Sequence, residues 1–530
     1  MTHSSSKISP GSKFFSLILA FLLFGKGMEI VAQTTEKPLY FNPVIKGDFP
    51  DPSIIRVGNT YYAVGTSCDF APNYPIYEST DLINWKQIGA VFQEPPKWTS
   101  DDFWAPELFY KDGTFFVYYT AKREDNRIAC IGVATTRDIH KGFTDHGIIV
   151  EWGEEAIDSY VFQDDDGKLY IIWKAYGLTK GRKVELLASE LNPDGLSMVG
   201  EPFTLTDLTK GWVGAGDEGP CMVNHAGYYY LFYSIGGCCD NRCNYRVMVA
   251  RSKNLKTGWE QYSENPILEG GGVWKCSGHG TLVDTPNNRY FYLYHAYNSI
   301  DFEYIGRQGM LDEVVWNKQT GWPYFKNGKN PSVTAETPFK GTAQKNDSVW
   351  IDDFSSKNDQ YFWEWDINLP KPSIKIAKGE MSITKGHNGI SFLGLRPQSG
   401  DYQLMAKVIP TVEFSGIGIY SNQQNLIAFV ANQSELVLYE IKKGEKEVLS
   451  KVNIKKSKSM FLKYEAVDGR YFRFFWSENG VKWIPVKENV QVDGTFVAQW
   501  GCSPRVGFII DGKECSTSKF SELKIQYNQK

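Results

Sequence analysis

Across 530 residues the formal charge is only −4, set by 57 basic and 61 acidic side chains with no long block of either sign. That balance argues against nucleic acid or an anionic membrane as a partner. The length exceeds one ordinary domain, so two are expected. The 15 % aromatic content suits strand-rich cores and stacking on sugars.

The chain opens with Lys7 and Lys13, an apolar run from Phe14 to Phe24, and small residues at Val31-Ala32. This order predicts a secretory signal peptide over residues 1–32, with an apolar core too short to anchor in a bilayer. No later segment reaches transmembrane length without charges. The protein is therefore expected to be exported, to the periplasm or the extracellular space, without membrane insertion.

From about residue 41 to 325 one pattern recurs five times. Its openings are Asp51-Pro52, Ala105-Pro106, Ile157-Asp158, Glu218-Gly219-Pro220 and His279-Gly280. A turn signal follows each, as in Asp112-Gly113 and Ala226-Gly227, and then an aromatic strand: YYAVGTS, FFVYYTA, LYIIWKA, YYYLFYS and YFYLYHA. A spacing of 53 to 61 residues, filled by short strands and hairpins, predicts one propeller blade per repeat. The third repeat illustrates the four strands, expected at 157–163, 169–175, 184–189 and near 201–205.

Nine cysteines include the cluster Cys238-Cys239 and Cys243, with Cys276 elsewhere. A tetrahedral zinc site needs a second matching pair, so a local disulfide is favoured for an exported chain. The pairing is not readable from spacing. A linker is expected at 326–348. Alternating runs at 402–408, 416–420, 426–431, 436–441, 460–466, 471–477 and 505–510 then predict an antiparallel β-sandwich over 349–530. No helical periodicity appears after the signal, so the class is all-β, a five-bladed β-propeller followed by a β-sandwich.

Equivalent positions of successive blades face a common axis, so Asp51, Asp158 and Glu218 should converge. Glycosidic cleavage needs one carboxylic acid to protonate the leaving oxygen and a carboxylate across the sugar, 6.5–9.5 Å away in inverting enzymes. Asp51, between Pro50 and Pro52, is expected to sit in an extended backbone. Glu218 has the longer reach, and a neighbouring Asp158 would raise its pKa towards that of a general acid. Asp217 sits at the adjoining position and points away, while Asp164-Asp165-Asp166-Gly167 reads as turn chemistry. His279 is either a buried hydrogen-bonded histidine or an organiser of water beside a hydrated cation such as calcium. Trp104 is placed to stack on a sugar face.

Phe49-Pro50-Asp51-Pro52-Ser53, Ile157-Asp158 with Phe162 and Asp165-Asp166-Gly167, and Glu218-Gly219-Pro220 resemble the three signature segments of family 43 glycoside hydrolases. The resemblance implies an inverting five-bladed propeller with Asp51 as general base, Glu218 as general acid and Asp158 as pKa modulator. Tyr304-Ile305-Gly306-Arg307, followed by Leu311 and Val314-Val315-Trp316, is similar to the segment supplying a substrate-contacting arginine, and Phe49 in the first signature is a further expected contact. His279-Gly280 resembles an axial histidine near calcium in many members; no cofactor is otherwise implied. The C-terminal region looks like the sandwich appended to exo-acting members.

The expected activity is removal of terminal xylose or arabinofuranose from oligo- or polysaccharides of the plant cell wall (xylan, arabinoxylan, arabinan). Alternatives within the chemistry are an endo-arabinanase and a galactose-specific exo-hydrolase. A sugar-binding propeller without catalysis is the non-enzymatic alternative. Oligomeric state is not readable.

Overall fold

The computed structural model describes residues 38–153, 155–176, 184–206, 217–240, 242–346, 348–355, 363–487 and 490–528. The expected signal peptide lies outside them. Residues 38–530 form one compact unit. Among the described residues strands dominate, the one helix being the four-residue Phe302–Ile305. No described helix is long and apolar enough to cross a membrane.

The repeats fold as antiparallel meanders. The first runs Ser53–Val57, Thr60–Val64, Asn73–Ser79, Lys86–Phe92. The second runs Trp104–Lys111, Thr114–Lys122, Ala129–Thr136, Thr144–Val150. The third comprises Glu155–Gln163, Leu169–Tyr176, Glu185–Leu191 and Met198–Thr206, within a few residues of expectation. It joins the second through one parallel pairing, Glu155 with Ala129. The fourth holds Glu218–His225, Tyr228–Ile235, Arg246–Ser252 and Glu260–Gln261, and the fifth Trp274–Asp284, Tyr290–Asn298, Arg307–Trp316 and Pro323–Phe325. Local chemistry sets the hairpins: Asp112 and Gly113 both take positive φ (50° and 79°), as do Ala226 and Gly227 (49° and 77°). Two consecutive left-handed residues match the twist of the flanking strands. The opening strands of successive meanders lie against one another in order, and the strand at Trp274–Asp284 returns to the one at Ser53–Val57.

Part of the segment expected as a linker is strand. Thr334–Glu336 pairs with Leu39–Phe41, and the buried Asn42 amide donates to Ser332 and to the Leu311 carbonyl. The chain's two ends of this region are thereby tied together.

Beyond residue 348 two antiparallel sheets share a core. One contains Tyr402–Ile409, Met460–Val467, Tyr471–Ser477 and Thr517–Tyr527; the other contains Gly389–Leu395, Phe414–Asn422, Asn425–Ala431, Glu435–Lys442 and Arg505–Gly512. Leu404, Leu462 and Phe520 from the first meet Leu393, Ile417, Phe429 and Phe508 from the second. The alternating burial of Tyr402–Ile409 and Met460–Val467 is the period-two signature of strands with one face inward.

The two regions interlock. Trp365–Asp366 pairs with Phe70–Ala71. The fully buried Arg505 bonds Glu364 through Nε (2.5 Å) and Asp48 through Nη1 (3.2 Å).

Candidate active site

Each repeat begins with a kinked backbone. Asp51, Ala105, Asp158 and His279 have φ of 51°, 36°, 56° and 43°, in the left-handed region that non-glycine residues rarely enter. Strain of this kind persists where surroundings over-determine it, and here they do. The N–H of Ala105 donates to Thr66 Oγ1, that of Asp158 to Thr120 Oγ1, that of His279 to Ser234 Oγ and that of Asp51 to His295 Nδ1. Thr66, Thr120, Ser234 and His295 occupy one phase in the second-strand motif of the preceding repeat, so the caps pass from repeat to repeat, and His295 of the fifth caps Asp51 of the first.

The fourth repeat corrects the expected phase. Its left-handed residue is Gly219 (φ 57°), and Glu218 stands one position earlier. A side chain at Gly219 would meet the His279 ring at 2.7 Å, which accounts for the glycine. Its preceding-repeat partner would be Lys174, which has no oxygen to accept with. Gly219 N–H turns to Asp158 Oδ2 (3.3 Å) instead, and the buried Lys174 ammonium is paired with Glu218 Oε2.

Asp51, Trp104, Asp158, Lys174, Glu218, His279 and Arg307 line one cavity of about 500 Å³. Asp51 Oδ1 accepts from Arg307 Nη1 at 2.8 Å, and Oδ2 accepts from Thr66 Oγ1 at 2.7 Å. His279 Nδ1 lies 3.4 Å from Asp51 Oδ1 and 3.8 Å from Asp158 Oδ2, bridging the two carboxyls. Burial would raise the Asp51 pKa, but Arg307, His279 and His295 outweigh it and hold the group well below the usual carboxylate range. Asp158 is pushed up to about 6 by burial, with Glu218 and Asp51 adding to the rise. His295 is lowered to about 4, chiefly by burial, and so is neutral.

Glu218 departs from expectation. Burial pushes it up, but Lys174 more than offsets this and the group lies below its ordinary value. The upward shift that Asp158 was expected to impose on Glu218 falls on Asp158 itself, because the cation sits against Glu218.

The other predicted residues divide. Trp104 lines the cavity, with Lys122 Nζ 5.4 Å over its ring. Phe49 does not: it is 1 % exposed and packs edge-on against Tyr77, centroids 5.0 Å apart, in a core with Ile45 and Ile54. Its side chain is turned into the core, so it is no sugar contact. Asp217 is buried and absent from the cavity wall. Asp164 to Asp166 form the expected turn, closed by Gly167 N–H on the Asp164 carbonyl (2.9 Å). Calcium takes six to eight oxygen ligands, waters among them; His279, the residue expected beside it, offers one nitrogen, so water would supply most of the shell of a hydrated ion there. Among the described residues no group of three or more His, Cys, Asp or Glu side chains is arranged to hold a metal ion. No step below uses a cation.

The cysteine cluster forms two disulfides, Cys238–Cys239 and Cys243–Cys276. Cys238 and Cys239 lie on the cavity wall with Asp366, Asn368, Ser421, Asn422 and residues 499–502 of the C-terminal region, including Trp500, which is 65 % exposed.

The profile of glycosyl hydrolases family 43 matches residues 40–323. The chain belongs to this family. A family relative named xylan 1,3-beta-xylosidase, from a Vibrio species, is 31 % identical over 330 residues, covering 56 % of this chain and 59 % of its own. The chain thus spans about three-fifths of that curated relative's length. A Bacteroides ovatus protein named non-reducing end alpha-L-arabinofuranosidase BoGH43B is 25 % identical over 430 residues, 75 % of this chain and 76 % of that one. The crystal structure of the GH43 protein BlXynB from Bacillus licheniformis superposes with a TM-score of 0.80 at 23 % identity, covering 92 % of this chain and all of that one, so the fold is shared.

Lys174 and His295 were not singled out from sequence, although both stand in the repeated strand motif at the phase of Thr66. That phase was the available signal. Their partners lie a repeat away and could not be read from it.

Proposed function

We propose that this chain is an inverting, exo-acting glycoside hydrolase that releases terminal xylose or arabinofuranose from plant cell-wall glycans. One observation carries the proposal: three carboxyl groups from three separate repeats line a single cavity, and Arg307 keeps one of them, Asp51, ionised. Asp51 is the general base that draws a proton from water as it attacks the anomeric carbon. Glu218 is the general acid, protonating the departing glycosidic oxygen as the bond breaks. Asp158 and Glu218 titrate as a pair; Asp158 holds their shared proton up to about pH 6, and Glu218 delivers it. Lys174 positions the Glu218 carboxyl and sets how readily it accepts that proton. Trp104 offers an apolar face for the sugar, and Arg307 a cationic edge for its hydroxyls.

The cyclic order of the opening strands and the caps that close from His295 onto Asp51 support a five-bladed propeller over residues 41–325. The shared core of the two later sheets supports a β-sandwich over 349–530. Cavity walls drawn from that second region favour a closed pocket, hence attack at a chain end over the open groove an endo-arabinanase needs. The names of the two relatives support the pentose assignment. Two disulfides support an oxidising compartment, periplasmic or extracellular.

The test is release of nitrophenol from the β-xyloside and the α-arabinofuranoside, followed by proton NMR of the first sugar formed. Inversion is expected, with Asp51→Asn and Glu218→Gln each lowering turnover about a thousandfold or more while the protein stays folded. Variants as active as the wild type would overturn the roles of Asp51 and Glu218; no release from either substrate by the wild type would favour a sugar-binding propeller; retention would overturn the role of Asp51.

A further inference from the structure

Five cysteines stand outside the two disulfides, and two of them meet at the cavity. Cys68 follows the second strand of the first repeat, and Cys502 closes the turn that begins with its bridge partner Gln499. Both line the cavity wall. The Cys68 thiol donates at 3.4 Å to the carbonyl of Gly501, the residue joined to Cys502, and the nearby Cys502 thiol helps push the Cys68 pKa up. The Gly501 peptide is itself a junction. Its carbonyl also accepts from Arg307 Nη2 (3.2 Å), and its N–H donates to the Cys239 carbonyl (3.1 Å). The turn at 499–502 therefore touches the first repeat, the fourth repeat and the arginine that holds Asp51, all by non-covalent contacts.

We propose that Cys68 and Cys502 form a third disulfide, a covalent staple fixing this turn to the cavity wall and to Arg307. The oxidant is an external disulfide of the glutathione class. Cys502, the more exposed thiol, attacks it as thiolate and releases one thiol. The Cys68 sulfur then attacks Cys502 sulfur in the mixed disulfide and releases the second. Two protein thiols are oxidised, the external disulfide is reduced to two thiols, and the two protons end on those thiols. The pairing does not depend on the hydrolase assignment.

The test treats the full chain with oxidised glutathione, denatures it without reductant, alkylates with iodoacetamide and maps the peptides by mass spectrometry. A linked pair containing Cys68 and Cys502, two hydrogens lighter than the separate thiols, is expected beside the two existing disulfides. Alkylation of both cysteines, or a Cys502 link to Cys239, would overturn the proposal. Amide hydrogen exchange provides the second readout. Protection over 499–503 should rise about tenfold or more on oxidation of the wild type and stay unchanged in Cys502→Ser handled identically. Equal exchange before and after oxidation of the wild type would refute the staple.

Discussion

Replacing Lys174 by methionine keeps the length of the side chain and removes its charge. Lys174 is 4 % exposed and its ammonium is in contact with Glu218, so the interaction is poorly screened. Loss of an opposite charge at such range moves a carboxyl pKa by about one to three units, or about 1.4–4 kcal/mol. The direction is upward, because only the ionised Glu218 gains from the cation. A general acid must be protonated to act, so kcat/KM of the wild type should fall as pH rises through about 6, where the Asp158–Glu218 pair gives up its shared proton. In Lys174→Met that alkaline limb should move up by about one unit or more. No acid limb from Asp51 should intrude, because Arg307 holds that group ionised far into acid. The assay is a pH profile of kcat/KM on nitrophenyl β-xyloside, with circular dichroism at each pH. A limb that stays in place while activity falls would mean Lys174 binds substrate without tuning Glu218, and the account of the proton would be wrong.

Arg505→Met leaves the buried Asp48 without its cation and Glu364 with Arg396 alone (2.7 Å), a loss of about 3–5 kcal/mol. Spread over the unfolding entropy of a unit running from residue 38 to 530, this lowers Tm by about 3–5 °C, and scanning calorimetry should find Asp48→Asn added to it partly restorative. An unchanged Tm would remove the interlock from the stability account. Exhaustive treatment with a chelator should leave kcat/KM within about twofold of untreated protein, since a bound cation would be worth several kcal/mol to catalysis. A large loss restored by calcium would instead bear out the cation expected beside His279.

The repeat was legible because five copies of one strand–turn–strand pattern reinforce one another, and the strands at 157–163 and 169–175 fell close to where the chain puts them. Its phase was less so. Matching acidic residues placed Glu218 in line with Asp51, yet Pro220 aligns with Pro52 and Pro106, and that alignment puts Gly219 on the strained position. Phe49 was misassigned because adjacency to Asp51 says nothing about which way a side chain turns at a kink. The cation opposite Glu218 could not be foreseen: its effect depends on a contact across 44 residues. Strands with little apolar content, such as Glu445–Asn453, exposed along most of its length, also lacked a readable pattern.

The peptide at Gly501 grips an arginine that in turn grips Asp51, and 450 positions separate the first residue of this relay from the last. A ribosome releases Asp51 long before it reaches the glycine that completes the relay. Every nascent intermediate short of that glycine thus lacks one of the contacts that hold Arg307 in place against Asp51.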